Sequence, residues 1–195
     1  MNRIALIFLA AIFSAATVAA PQANRPRPLP ADSVYQLPVT LTDQKGHAAA
    51  WVLRRGRPQI VAMFYTSCKF VCPLIVDSGK AVQKQLTAQE RSRVSLLLIS
   101  LDPERDAPAA LAIVVRERKL DQGLWTLASP VSADVRAIAG LLGVRYRRLA
   151  NGDFNHTSAL VLLDAEGRIV ARTEKIGSVP DPEFVAAVRR EAARG

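Results

Sequence analysis

Short apolar runs alternate with longer segments of helical periodicity along most of the chain. Residues 60–64 are a continuous apolar run, and residues 94–101 are a mainly apolar run with two serines; both are of the kind found in strands buried on both faces of a sheet. After each run the apolar positions recur at helical spacing, which predicts helices over residues 73–89 and 108–119. Pro73 suits the first turn of the earlier helix, because its fixed φ is already helical. The pattern therefore predicts an α/β fold with a central buried sheet.

Weaker patterns at the two ends complete the predicted fold. The remaining predicted elements are a hairpin over residues 34–41 and 49–53, a strand at 124–127, a helix ending at Leu142, a second hairpin over 159–163 and 169–173, and a last helix over 182–193. A strand–helix–strand start followed by a closing hairpin and a helix indicates an α/β sandwich of the thioredoxin type. The first hairpin is then an N-terminal extension, and the helix ending at Leu142 is an insertion.

The first twenty residues have the pattern of an export signal. Arg3 precedes an uncharged apolar run at residues 4–13, and small residues follow it. This pattern predicts that residues 1–20 are a signal peptide, which exports the chain to a bacterial periplasm. A short membrane anchor is the alternative, since residues 4–20 have about the minimum length of a membrane span.

Composition divides the rest of the chain into a linker and one domain. Residues 21–31 are rich in proline and arginine, which favours an extended linker, and residues 32–195 suffice for one domain with its own core. The net charge of +9 is compatible with nucleic-acid binding. An exported chain, however, meets little nucleic acid. We therefore expect no nucleic-acid partner, and solvated basic faces or contacts with anionic lipid and acidic proteins.

The two cysteines of the chain, Cys68 and Cys72, lie where a buried strand gives way to a helix. A disulfide between them can persist in a periplasm, but so short a loop gives only ~2 kcal/mol of stabilisation. Backbone amides at a helix start favour the thiolate, and a spacing of four residues points both sulfurs the same way. This placement suits a metal site or disulfide exchange, and the spacing alone does not separate the two.

Two thiolates make an incomplete site for most metals, and the chain offers two histidines as further ligands. His47 lies in the turn of the first hairpin, where we expect it to face solvent. His156 lies in a polar segment just before the strand at 159–163. Loops at one end of an α/β sheet are where sites assemble, which makes His156 the stronger candidate.

Three motifs follow one another in order: Tyr-Thr-Ser-Cys-Lys-Phe-Val-Cys-Pro at 65–73, Asp-Pro-Glu-Arg-Asp at 102–106, and Asn-His-Thr-Ser at 155–158. In this order and spacing they resemble the Sco/SenC family, the copper-binding assembly factors of cytochrome c oxidase. The resemblance implies a thioredoxin-like fold that binds one copper ion through Cys68, Cys72 and His156. It also implies that Asp102 and Asp106 lie beside these ligands or in a docking surface. Capping of the next helix or turn is the alternative for both aspartates.

The resemblance implies a periplasmic copper chaperone rather than an enzyme. Its client would be the copper-site subunit of cytochrome c oxidase, with other periplasmic copper or thiol-redox proteins as further partners. Two thiolates and one imidazole suit Cu(I) and can also hold Cu(II). Lys69 departs from the family, which often has proline after the first cysteine. The alternative is a thiol-disulfide oxidoreductase that uses Cys68 and Cys72 as its redox pair.

Overall fold

The structure is a computed structural model that describes residues 27–68 and 71–194, with no side chain described at Val71 and Cys72. The predicted signal peptide, most of the predicted linker, and Lys69 lie outside the described residues. Within the described ranges, none of the helices has the length and apolar character needed to cross a membrane.

The described residues form a mixed seven-stranded sheet, a separate two-stranded ribbon, and helices around them. The strands are β1 (Thr40–Asp43), β2 (Ala48–Ala50), β3 (Gln59–Phe64), β4 (Ser95–Ser100), β5 (Trp125–Ser129), β6 (Tyr146–Arg148), β7 (Phe154–His156), β8 (Leu160–Leu163) and β9 (Ile169–Thr173). The helices are α1 (Val71–Lys84), α2 (Ala88–Arg93), α3 (Pro108–Glu117), α4 (Val135–Leu141) and α5 (Pro182–Arg194). The sheet order is β2-β1-β5-β4-β3-β8-β9, and β6 pairs with β7 in the ribbon.

Strands β3 and β4 form the centre of the sheet, and all twelve of their residues are buried. They pair in parallel from Gln59 opposite Ser95 to Phe64 opposite Ser100. β5 continues the parallel sheet on one side, and β8 pairs with β3 in the antiparallel sense on the other. Because β3 and β4 end at the same edge, the segments that follow them leave the sheet side by side. The predicted thioredoxin-like α/β fold is thereby confirmed.

Most predicted elements agree with the structure to within one or two residues, and two differ by more. Residues 34–36 form a short 3-10 turn instead of a strand, so the first hairpin shrinks to β1 and β2, and β1 joins the main sheet beside β5. The predicted helix over 73–89 is two helices, because α1 ends at Lys84 and α2 starts after Thr87. The Thr87 hydroxyl accepts from the Glu90 amide and the Glu90 carboxylate accepts from the Thr87 amide, a capping box that fixes the new helix start.

Candidate metal centre

The cysteine segment runs from the end of β3 into the first turn of α1. Tyr65 is buried, Cys68 is half-buried, and the Cys68 amide donates to the Tyr65 carbonyl at 3.3 Å, closing a turn between them. The backbone of Cys72 lies in the first turn of α1. The structure thus places the cysteine pair at the strand–helix junction that the sequence predicts.

Asp106 fixes the start of this cysteine segment. Its carboxylate is fully buried and accepts from the Thr66 amide at 3.1 Å, from the Thr66 hydroxyl at 2.5 Å and from the Ser100 hydroxyl at 2.5 Å. Burial raises the pKa of Asp106 above its usual value, although the hydrogen bonds from Ser100 and Thr66 act against that shift. Asp106 therefore joins the ends of β3 and β4, and it acts on the cysteine segment through Thr66.

Asp102 connects instead to the ribbon that carries His156. Its buried carboxylate forms an ion pair with Arg105, and its amide donates to the Ser100 hydroxyl at 2.9 Å. The Arg105 guanidinium also donates to the Gly152 carbonyl at 2.5 Å, in the turn between β6 and β7. The two aspartates of the Asp-Pro-Glu-Arg-Asp motif thus hold different parts of the candidate site.

His156 is the last residue of β7, so it lies in a short strand and not in the predicted loop. Its ring packs edge-on against Tyr65, with 5.9 Å between ring centroids. Its Nδ1 lies 3.1 Å from the Thr157 carbonyl oxygen, which can only accept, so Nδ1 carries the proton. Nε2 is buried and has no hydrogen-bond partner among the described residues. Burial also lowers the pKa of His156, which keeps the ring neutral near pH 7 with a free lone pair on Nε2.

The described side chains bring the histidine ribbon to the cysteine segment through Tyr65, yet Cys68 and His156 line different cavities. Cys68 lines a cavity of about 240 Å³ together with Pro73, Val114 and Arg118. His156 lines a more open and more polar cavity of about 410 Å³ at the ribbon. Among the side chains described, no three from His, Cys, Asp and Glu are grouped as a metal site, and Cys72 is not among those side chains.

A profile of the SCO1/SenC family matches residues 29–193, which is most of the chain and contains every motif described above. The chain belongs to the SCO1/SenC family. The likeness extends to a protein of Stutzerimonas stutzeri that is 32% identical over 71 residues, 36% of this chain. That match spans about a third of the relative's own length, at 35%.

Two solved structures of Sco proteins share the fold of this SCO1/SenC chain. ScoI of Bradyrhizobium japonicum with copper bound is 26% identical, with a TM-score of 0.65 over 79% of this chain and 97% of that one. BsSco, described as having a disulfide switch and as a member of the Sco family of cytochrome c oxidase assembly proteins, is 20% identical. Its TM-score is 0.68, over 81% of this chain and 93% of that one. The likeness to BsSco concerns the fold alone.

Sequence reasoning on this SCO1/SenC protein missed Tyr65 and Arg105, the residues that connect the ribbon to the rest of the site. Tyr65 contacts Phe154, 89 positions away, and Arg105 contacts Gly152, 47 positions away. Contacts over such separations have no periodic pattern in the sequence. The one available signal is that Tyr65 directly follows a buried strand, which predicts that it lies at the edge of the sheet. His47 is exposed in the β1–β2 turn beside Asp43, as predicted.

Proposed function

We propose that this SCO1/SenC protein is a periplasmic copper chaperone that binds one copper ion through Cys68, Cys72 and His156. Its cargo would go to the binuclear copper site of cytochrome c oxidase. The copper-bound ScoI relative supports the choice of metal. Membership of the family, whose Sco members are described as cytochrome c oxidase assembly proteins, supports the choice of client. The copper-site subunit of the oxidase is the partner that follows from this proposal.

The state of the His156 ring is the observation that carries the proposal. A buried ring nitrogen without a partner costs free energy unless it gains a ligand, and Nε2 of His156 is such an atom among the described residues. Metal-binding histidines usually donate their other ring nitrogen to a carbonyl or carboxylate, as Nδ1 does here to Thr157. The ring is thus neutral, oriented and ready to accept a metal ion.

The donor set also suits copper. Two thiolates and one imidazole match the preference of Cu(I) for soft ligands, and the same set can hold Cu(II). Only reduced cysteines bind the ion, so loading of Cys68 and Cys72 would depend on their disulfide state. Asp106 and Asp102 support this set indirectly, since Asp106 holds the cysteine segment and Asp102 holds the ribbon through Arg105.

The proposed location follows from the sequence. Residues 1–20 would direct export to the periplasm or anchor the chain in the membrane, and residues 21–31 would link them to the domain over 32–195. Export places the cysteine pair in a compartment where it can cycle between dithiol and disulfide. The excess of basic residues would favour association with anionic membrane surfaces or acidic partners.

A competition titration tests the chaperone proposal. The reduced protein is titrated with Cu(I) against a chelator, alongside His156→Ala, a double Cys68→Ser/Cys72→Ser variant, and His47→Ala as the matched histidine control. We expect tight one-to-one binding that His47→Ala preserves, that His156→Ala weakens by about 10-fold or more, and that the double variant abolishes. Equal copper affinity in the wild type and the double cysteine variant would refute the proposal.

The separate cavity at Cys68 favours a second candidate, a thiol-disulfide oxidoreductase. That cavity borders Cys68 without His156, so a partner disulfide could reach the thiol from the side of α1 and α3. The dithiol of Cys68 and Cys72 would reduce the partner disulfide and become a disulfide itself. Turnover on an oxidised copper-site domain, unchanged in His156→Ala, would support this activity, and an inactive wild type would exclude it.

A further inference from the structure

The outer edge of β7 has backbone groups that its partner strand does not bind. The Leu149 amide donates to the Asp153 backbone carbonyl at 2.7 Å, and the Thr157 amide donates to the Arg145 backbone carbonyl at 2.8 Å. Antiparallel ribbons alternate between hydrogen-bonded and non-hydrogen-bonded pairs, so the intervening residues Phe154 and His156 form non-hydrogen-bonded pairs. Their amides and carbonyls therefore point away from β6, toward the side where another strand would normally bind.

One side chain takes the place of that missing strand at Phe154. The Tyr65 hydroxyl donates to the Phe154 carbonyl at 3.2 Å and accepts from the Phe154 amide at 3.3 Å. A phenol has one proton and can accept through its oxygen lone pairs, so the two hydrogen bonds are compatible. Tyr65 thus satisfies both outward backbone groups of the residue two positions before His156.

The ring of Tyr65 reinforces the same contact. It packs edge-on against Phe154 with 5.3 Å between centroids, and edge-on against His156 with 5.9 Å. Edge-on pairs of this kind favour one relative orientation of the rings. Tyr65 is 4% exposed, and its own position is fixed because it directly follows the buried strand β3. The fixed partner is therefore Tyr65, and the ribbon is the part that it positions.

We propose that Tyr65 is a positioning residue that holds His156 against the cysteine segment. It lies three residues before Cys68, so one stretch of backbone fixes a thiol ligand and, through the Tyr65 hydroxyl, the strand of the histidine ligand. The functional importance of this role rests on the proposed copper site. The tie between Tyr65 and Phe154 itself exists without metal and can be measured without it.

The first test uses the metal-free protein, with Tyr65→Phe compared with Tyr146→Phe. Tyr146 is the matched control, since its ring also packs against Phe154 and its hydroxyl makes no hydrogen bond to a described residue. We expect Tyr65→Phe to speed amide hydrogen exchange at Phe154 by about 10-fold, the effect of one lost hydrogen bond, and Tyr146→Phe to leave it unchanged. Unchanged exchange at Phe154 in Tyr65→Phe would overturn the proposal, whatever the protein does with copper.

The second test is a double-mutant cycle on Cu(I) affinity, measured by chelator competition. If Tyr65 acts through His156, Tyr65→Phe lowers the affinity by about 10-fold in the wild type and has no effect in His156→Ala. An equal loss in both backgrounds would overturn the proposal, since it would show that Tyr65 acts on the fold or on the cysteines. A wild type whose copper affinity is insensitive to His156→Ala refutes the proposed copper site instead, and the exchange result at Phe154 still decides the tie.

Discussion

The cysteine segment and the histidine ribbon of the candidate site are held in place by different means. The cysteine segment continues from the fully buried strand β3, and a fully buried carboxylate, Asp106, binds its first polar residue. The ribbon lies outside the main sheet, and every residue of β6 and β7 is at least partly exposed. The described residues connect it to the rest of the site at Tyr65, at Arg105, and through an exposed ion pair between Arg148 and Glu104. The buried core thus fixes the start of the cysteine segment, whereas a few side chains fix the imidazole.

The largest expected effect comes from removing the anchor of the cysteine segment. Asp106→Ala leaves the buried Ser100 hydroxyl and the Thr66 amide without their acceptor. We expect the free energy of unfolding to fall by about 3 kcal/mol, measured by urea denaturation. The control is Asp32→Ala, an exposed partner of Arg168 whose loss should cost under about 1 kcal/mol. Similar losses in the two variants would contradict the anchoring role of Asp106.

A second large effect is expected in the helix that carries Cys72. A methyl group on Gly79 of α1 would lie 2.6 Å from the Trp125 ring and 2.9 Å from Leu96, both buried in the sheet. Gly79→Ala should therefore cost about 2 kcal/mol of unfolding free energy through overpacking. Gly140 in α4 has nothing within 4 Å of the same position, so Gly140→Ala should stabilise by up to about 1 kcal/mol. If both substitutions raised the free energy of unfolding, α1 would not pack against the sheet this closely.

The ribbon should respond to a change that barely affects the cysteine segment. Arg105→Gln removes the cation that pairs with Asp102 and donates to the Gly152 carbonyl. We expect amide exchange in β6 and β7 to speed several-fold while exchange in β3 stays unchanged, because Arg105 contacts the ribbon and the loop after β4 but not β3. Equal acceleration in β3 would mean that both regions open together, which removes the difference between them.

The smallest expected effect is a pH dependence in the metal-free protein. Burial lowers the pKa of His156, so below the ordinary histidine value of about 6.5 the unfolded chain binds a proton that the folded chain resists. The free energy of unfolding should therefore fall as the pH drops below the ordinary histidine pKa, until the pH passes the lowered pKa of His156 in the folded state. His156→Gln should flatten this part of the stability profile, and His47→Gln should preserve it. A profile that is identical in the wild type and His156→Gln would contradict the buried state of the ring.

The cysteine segment is also the part of the site that the sequence predicts best. Cys68 and Cys72 follow directly from local pattern, since a buried strand and a helical period meet between them. The start of α2 also has a local sequence signal, the capping box of Thr87 and Glu90. The apolar period continues across it, which is why the sequence predicts one helix there instead of two. His156 was identified as a candidate by its place before a buried strand.

The rest depends on contacts between distant parts of the chain. The hydroxyl of Tyr65 and the guanidinium of Arg105 have partners that only the folded chain brings near them. The motif marked Asp102 and Asp106 without showing that they act on different halves of the site. Polar ties of this kind have no periodicity in sequence, so they appear only once the sheet edge and the ribbon are in place.

X-ray absorption on the Cu(I)-loaded protein tests the copper site most directly, because it reports the atoms bound to the metal. The proposed copper site predicts two sulfur atoms and one nitrogen bound to copper, with the nitrogen lost in His156→Ala and kept in His47→Ala. A wild-type shell with sulfur alone, or a spectrum that His156→Ala leaves unchanged, would contradict it.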